Sequence, residues 1–157
     1  MDGPSPQPSQ KALRRAADHL LAAAEILAAM SARTASDVDR RLSPALLRVL
    51  SLVGDNPGIG LTALADRVRV SISRASRMCD SLEQARLVRR SPVAGDRRGI
   101  SVDLTPEGRT TLAAVRDRRA AWITGALVSM PPADLNALVA GLEALGPSLT
   151  SRTHEEA

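Results

Sequence analysis

Two short stretches of this 157-residue chain gather groups with recognisable chemistry. In the first, at 71–85, Ser73, Arg74 and Arg77 fall on one side of a helical period, opposite Ala75, Met78, Cys79 and Leu82. An arginine fork pairs bidentately with guanine, and a serine hydroxyl serves base or phosphate. The second is the run Gly95-Asp96-Arg97-Arg98-Gly99. Two adjacent arginines on an exposed tip reach phosphates or a narrow minor groove. Asp96 beside them would repel DNA unless it pairs with a neighbouring arginine and fixes the tip. Taken singly, the helix at 71–85 favours that reading over an ordinary amphipathic helix with a solvated arginine face, whereas the run at 95–99 is equally a charged solvated turn.

The charge distribution joins the two. Residues 61–100 hold nine Arg (67, 69, 74, 77, 86, 89, 90, 97, 98) against Asp66, Asp80, Glu83 and Asp96, a net of +5. The other 117 residues hold 12 basic and 13 acidic groups, a net of −1. All the positive excess of the +4 chain thus lies in one quarter of it, the footprint of a nucleic-acid-binding region or of a solvated charged face, and charge alone does not choose between them. No catalytic arrangement competes. Gly58 and Gly60 lie in a turn without a lysine, and no spacing joins Ser, His and Asp. The chain is therefore not expected to be an enzyme. One cysteine excludes an internal disulfide and a Cys-based zinc site, and His19 and His154 are too far apart for a metal motif. No cofactor is expected. No apolar run reaches the ~20 residues of a membrane span, and the polar, Pro-rich start is no signal peptide, so a cytoplasmic protein without membrane contact is expected.

The elements that must position these groups follow from periodicity and caps. A helix begins near Lys11, with Leu13, Ala17, Leu20, Ala24 and Leu27 in a heptad-like seam, and Ser31–Asp39 reads as a polar joint. Ser43 and Pro44 start a second helix, which Gly54 can close. "DNPGIG" at 55–60 reads as a turn. A short helix from Thr62 is followed by a helix capped by Ser71. "LVRRS" at 87–91 and "ISVDL" at 100–104 read as a β-hairpin with a long tip. Thr105-Pro106-Glu107 starts a long helix that ends before Pro131-Pro132. A last helix carries Leu135, Leu138, Leu142 and Leu145 and is expected to end at Gly146-Pro147. With no Phe or Tyr and one Trp, the core must be aliphatic.

The stretch "VSISRASRMCDSLEQARLVRRSPVAGDRRGISVDLTPEG" (70–108) resembles the core of the MarR family of winged helix-turn-helix regulators. "RMCDSLEQARLV" resembles the end of that family's recognition helix, and "DRR" with "VDLTPEG" its wing, second strand and long-helix start. "LSPALLRVL" at 42–50 resembles its second helix. The resemblance implies a mostly α fold with a small β-hairpin wing, a DNA-binding domain joined to a helical dimerisation domain. Residues 1–9 are then a disordered tail, 42–105 the winged helix-turn-helix domain, 10–33 and 106–147 the helical dimerisation region, and 148–157 a flexible tail. It implies a homodimer on a pseudo-palindromic double-stranded operator, most often a repressor, released in many members by a small-molecule effector or by oxidation. Ser71, Ser73, Arg74 and Arg77 become the expected major-groove residues. Arg98 resembles the wing arginine of the minor groove, Asp96 the acid that orients it, and Arg97 is expected on phosphate. Where the family usually has Gly after the recognition helix, this chain has Arg86. Either Arg86 adopts a left-handed conformation or the helix ends differently.

The apolar seams lead to the same dimer independently. The first, long and last helices carry stripes (Leu13, Leu20 and Leu27; Trp122; Leu135, Leu138, Leu142 and Leu145) longer than a small DNA-binding head can cover. A second copy would bury them, unless they pack among themselves within one monomer. On the long helix's stripe, Arg119 needs a partner or a path to water. It is a snorkelling surface group, an inter-subunit ion pair or a ligand anchor. Trp122 is a core or dimer anchor first and a ligand-pocket wall second. His19 is a structural or surface residue first and a candidate sensor second. Cys79, on the inward face, is expected to be inert. The alternatives to a sequence-specific regulator are a helical adaptor that binds an acidic protein partner and a non-specific DNA-coating protein.

Overall fold

The computed structural model describes residues 8–93 and 96–155, without the side chains of 93, 96–98, 150 and 152–155. The elements are α1 (Gln10–Val38), α2 (Pro44–Asp55), β1 (Ile59–Gly60), α3 (Leu61–Val68), α4 (Ile72–Gln84), β2 (Val88–Val93), β3 (Asp96–Leu104), α5 (Pro106–Leu127) and α6 (Pro132–Glu155). Helices dominate, and the strands form one small antiparallel sheet in the order β1-β3-β2. The expected fold class is observed.

The caps sit where the sequence puts them. Ser43 accepts from the Leu46 N–H at 3.3 Å, with Pro44 in the first turn. Ser71 accepts from the Arg74 N–H at 3.3 Å. Thr105 Oγ1 accepts from the Gly108 N–H at 2.9 Å. Each bond satisfies a donor that a helix start leaves without an internal partner.

Two compact units divide within α5, between Arg119 and Ala120. In the first, an aliphatic core forms around α2, α3, α4, the sheet and the start of α5. Leu42, Val49, Leu50, Leu64, Leu82, Leu87, Val102 and Val115 are buried almost completely. Each contributes about 1.5–3 kcal/mol of transfer free energy, which sets the orientation of α4 without any aromatic residue. The second unit has no buried residue among those described, and Trp122, Leu138 and Leu142 are exposed on it.

Several boundaries differ from expectation. The joint at 31–39 is helical to Val38, because Thr34 and Ala35 are buried and the core holds that turn. Gly54 lies inside α2, whose cap is Asn56. The turn at 55–60 contains a two-residue strand, with Ile59 opposite Val102. The hairpin tip is short: β2 runs to Val93 and β3 starts at Asp96, with a register irregularity at Pro92/Val93. Proline, lacking a donor, is tolerated in a strand at such a place. Helix α6 passes through Pro147, so residues 148–155, expected as a tail, are helical. Ser151 Oγ donates to the Pro147 carbonyl at 3.1 Å in that continuation. Of the expected N-terminal tail, residues 1–7 lie outside the described residues, and Ser9 caps α1.

Candidate nucleic-acid interface

Helices α3 and α4 form the helix-turn-helix. Arg69 closes α3 in the left-handed region at φ 58°, and the Val70 N–H reaches back to the Ala65 carbonyl at 3.0 Å. Two residues later Ser71 opens α4. The inner face of α4 is Ala75, Cys79 and Leu82, all fully buried, with Met78 half-buried beside them. That burial fixes the helix rotation and turns Ser73, Arg74 and Arg77 to solvent. Neither arginine forms an ion pair with a described residue. Both line a shallow groove of about 380 Å³ with Ser43 and Leu46 of α2. The Ser71 hydroxyl is engaged in the cap and lies 3.1 Å from Ser73 Oγ.

At its far end α4 closes through Arg86, which takes the left-handed conformation at φ 60°. The Leu87 N–H bonds to the Leu82 carbonyl at 2.9 Å, and Thr105 Oγ1 donates to the Arg86 carbonyl at 2.5 Å. Of the two geometries open for Arg86, the structure takes the left-handed one, at a cost of about 1–2 kcal/mol for a residue with a Cβ.

The hairpin follows. The backbone of Asp96, Arg97 and Arg98 starts β3, but their side chains lie outside the described residues, and with them the expected pairing of Asp96. Sequence reasoning missed Arg90. This β2 residue reaches α4, where it pairs with Asp80 at 2.7 Å and donates to the Ser76 carbonyl at 2.6 Å. Only the arginine count of 61–100 included it, and no local pattern reveals a contact between a strand and a preceding helix.

Of the candidate effector residues, Arg119 and His19 line different cavities. Arg119 is half-buried, and its Nη2 donates to Ser31 Oγ, while its buried Nε has no partner among the described residues. Burial, and then the nearby Arg116, lower its pKa from the ordinary arginine value. It lines a cavity of about 460 Å³ with Ser31, Leu47, Arg48 and Asp55. His19 lies elsewhere, in a groove on α1 with Lys11 and Arg15. Trp122 is 46% exposed on the second unit. The Cys79 thiol is buried, and burial pushes its pKa up against the opposing charge of Arg90. No group of His, Cys, Asp and Glu among the described residues could hold a metal, and no described helix is long and apolar enough to cross a membrane.

The model of the MarR family matches residues 42–100, the span from the start of α2 into β3. The crystal structure of RV1404 from Mycobacterium tuberculosis is 30% identical in sequence and superposes with a TM-score of 0.81, over 90% of this chain and 97% of that one. The chain belongs to the MarR family. AbsC, a MarR family transcriptional regulator from Streptomyces coelicolor, shares the fold at 23% identity and TM-score 0.63, over 94% of this chain and 99% of AbsC. FabT from Streptococcus pneumoniae, solved in complex with DNA, shares it at 16% identity and TM-score 0.73, over 88% of this chain and 98% of FabT. No curated protein matches the sequence. The fold is thus that of the MarR transcription regulators, a family of DNA-binding regulators rather than enzymes.

Proposed function

We propose that this chain is a homodimeric, sequence-specific DNA-binding repressor. The observation that carries the reading is the outer face of α4, where Ser73, Arg74 and Arg77 stand exposed at the start of a helix whose opposite face is locked into the core. In helix-turn-helix proteins this part of the second helix enters the major groove. Arg74 and Arg77 read bases, with Ser73 beside them. Ser71 sets the helix start and meets phosphate or base from there. Arg98 enters the minor groove, Asp96 orients it, and Arg97 holds phosphate.

The exposed seams support the homodimer. Leu13, Leu20 and Leu27 on α1 are each more than 40% exposed, as are Trp122 on α5 and Leu142 on α6. Contiguous apolar stripes of this length mark a protein interface, and Leu135, Leu138 and Leu145 extend the α6 stripe. Two heads on one dimer read two half-sites about one helical turn apart. Such a regulator works on the chromosome, in the cytoplasm. For an effector, Arg119 with its cavity favours an anionic small molecule. His19, which lines a different groove, and Trp122 contribute to sensing through the dimer.

The deciding experiment is fluorescence anisotropy of the protein on duplex DNA from upstream of its own gene, beside scrambled DNA, across a salt series. Much tighter binding of the native or another genomic fragment is expected. Equal binding with a steep salt slope would make it a DNA-coating protein. No binding to any genomic fragment would leave the adaptor reading.

A further inference from the structure

Recognition helix and wing hairpin are separate elements, yet one arginine ties them together. From β2, Arg90 sends its guanidinium across to α4, with Nη2 donating to the Ser76 carbonyl at 2.6 Å and Nη1 lying 2.7 Å from Asp80 Oδ1. Its backbone N–H donates to Glu83 Oε1 at 3.2 Å. Ser76, Asp80 and Glu83 follow one another at intervals of four and three residues, so they form one flank of the helix. That flank is neither the buried face of Ala75, Cys79 and Leu82 nor the outer face of Ser73, Arg74 and Arg77. Within the hairpin, Arg90 stands opposite the buried Val102 of β3, so both strands move with it. Its side chain is only 21% exposed, where a charge-assisted bond is screened less than on an open surface.

We propose that Arg90 is a positioning residue that locks the wing hairpin to the recognition helix and thereby sets the distance between the major-groove and minor-groove contacts. The inference rests on the DNA-binding reading and deepens it. The Arg90 fork is turned to α4, so its role is not contact with a base or phosphate. A duplex presents its two grooves at a fixed separation. A hairpin free to swing would leave each contact available but lose the gain from making both at once.

The test is a double-mutant cycle on affinity for a duplex that the wild-type protein selects from a random library. In the wild type, Arg98→Ala should weaken binding about tenfold, the equivalent of ~1.4 kcal/mol. In an Arg90→Met background the same change should cost less than about twofold, because sites that act through one another are not additive. Arg90→Lys keeps a charge near Asp80 without the fork and should restore only part of the wing's contribution. A merely structural Arg90 would weaken binding but leave the Arg98→Ala cost intact, and equal costs in the two backgrounds overturn the proposal. If Arg90→Met does not fold, the half-exposed Asp80→Asn opens the same latch and takes its place in the cycle.

A second readout needs no DNA. Cys79 is the only cysteine and is fully buried on the inner face of α4, the helix that Arg90 grips. Opening the latch should speed its labelling by a thiol reagent about tenfold or more, through local opening rather than global unfolding. An unchanged labelling rate in Arg90→Met and Asp80→Asn overturns the latch. If the wild type selects no duplex, the DNA-binding reading fails, and labelling alone still decides whether the latch exists.

Discussion

Replacing Gly108 by alanine sets two physical effects against each other. Gly108 lies in the first turn of α5, and in a helix alanine is favoured over glycine by about 0.8–1.0 kcal/mol. Propensity alone therefore predicts a more stable protein. The surroundings predict the reverse. A Cβ at this position would lie 1.9 Å from the Leu87 carbonyl oxygen, 2.8 Å from its carbon and 3.2 Å from its Cα. Carbon and oxygen not otherwise bonded approach to about 3.3 Å, so the helix start and the Leu87 backbone must part by more than an ångström. Leu87 cannot yield freely: its N–H bonds to Leu82 at 2.9 Å, and its carbonyl accepts from the Thr105 N–H at 3.1 Å. Overpacking costs about 1–3 kcal/mol and a weakened hydrogen bond about 0.5–1.5 more. Subtracting the propensity gain leaves a net loss of about 2 kcal/mol, which lowers the thermal midpoint by roughly 4–8 °C in a protein of this size. Thermal unfolding followed by circular dichroism measures it. Gly54→Ala is the control, because its Cβ would meet the end of the Leu112 side chain at 2.6 Å, which can rotate away, and the loss should be smaller. A midpoint at or above wild type for Gly108→Ala, or a loss no larger than in the control, refutes the reasoning.

Arg86→Gly should stabilise by about 0.5–1 kcal/mol, since relief of a left-handed Cβ outweighs the added freedom of the unfolded chain; urea unfolding that shows a loss would contradict this. Arg77→Ala should cost about 1–3 kcal/mol on the preferred duplex and relax sequence preference, whereas an equal loss on every sequence would make Arg77 a phosphate contact. In the proposed dimer Trp122, the sole aromatic residue, is covered, so its emission should shift to the red as the protein is diluted through dissociation. Constant emission while sedimentation reports dissociation would place Trp122 outside the interface. The Asp39 carboxyl is held below its ordinary value of 3.8, first by the Arg41 side-chain hydrogen bond. Its contribution to stability is therefore present above that value and lost as pH falls through the lower, folded-state value. Asp39→Asn should lower the thermal midpoint near neutral pH and have no effect in strong acid, and an equal drop at both would rule out the charge pair as its source.

Where local chemistry decides structure, the sequence was enough. Ser43-Pro44, Ser71 and Thr105-Pro106-Glu107 announce helix starts because the cap bond is made within three residues. The inward stripe of α4 was legible because its period is set by the helix itself. Elements decided by distant contacts were not legible. Residues 31–38 are mostly polar, yet they stay helical because the core accepts Thr34 and Ala35. A two-residue strand at Ile59 has no period of its own and exists through its pairing with Val102. Pro147 looks like a stop, but losing one backbone donor does not end a helix whose neighbours remain helical.

The site shows why a charge count locates a function without describing it. Nine arginines between 61 and 100 read as one basic patch, but their tasks differ. Arg69 and Arg86 sit at left-handed positions that close α3 and α4, and Arg67 bonds to Asn56. Arg90 faces inward to Asp80 and Glu83. Two of the four acids in the stretch are therefore engaged on the flank of α4 that holds the hairpin, away from the outer face. The outer face keeps Arg74 and Arg77 with no carboxylate bonded to either among the described residues, which an anionic duplex requires. Asp80 and Glu83 do not neutralise that outer face, because their position on the helix turns them to Arg90 instead.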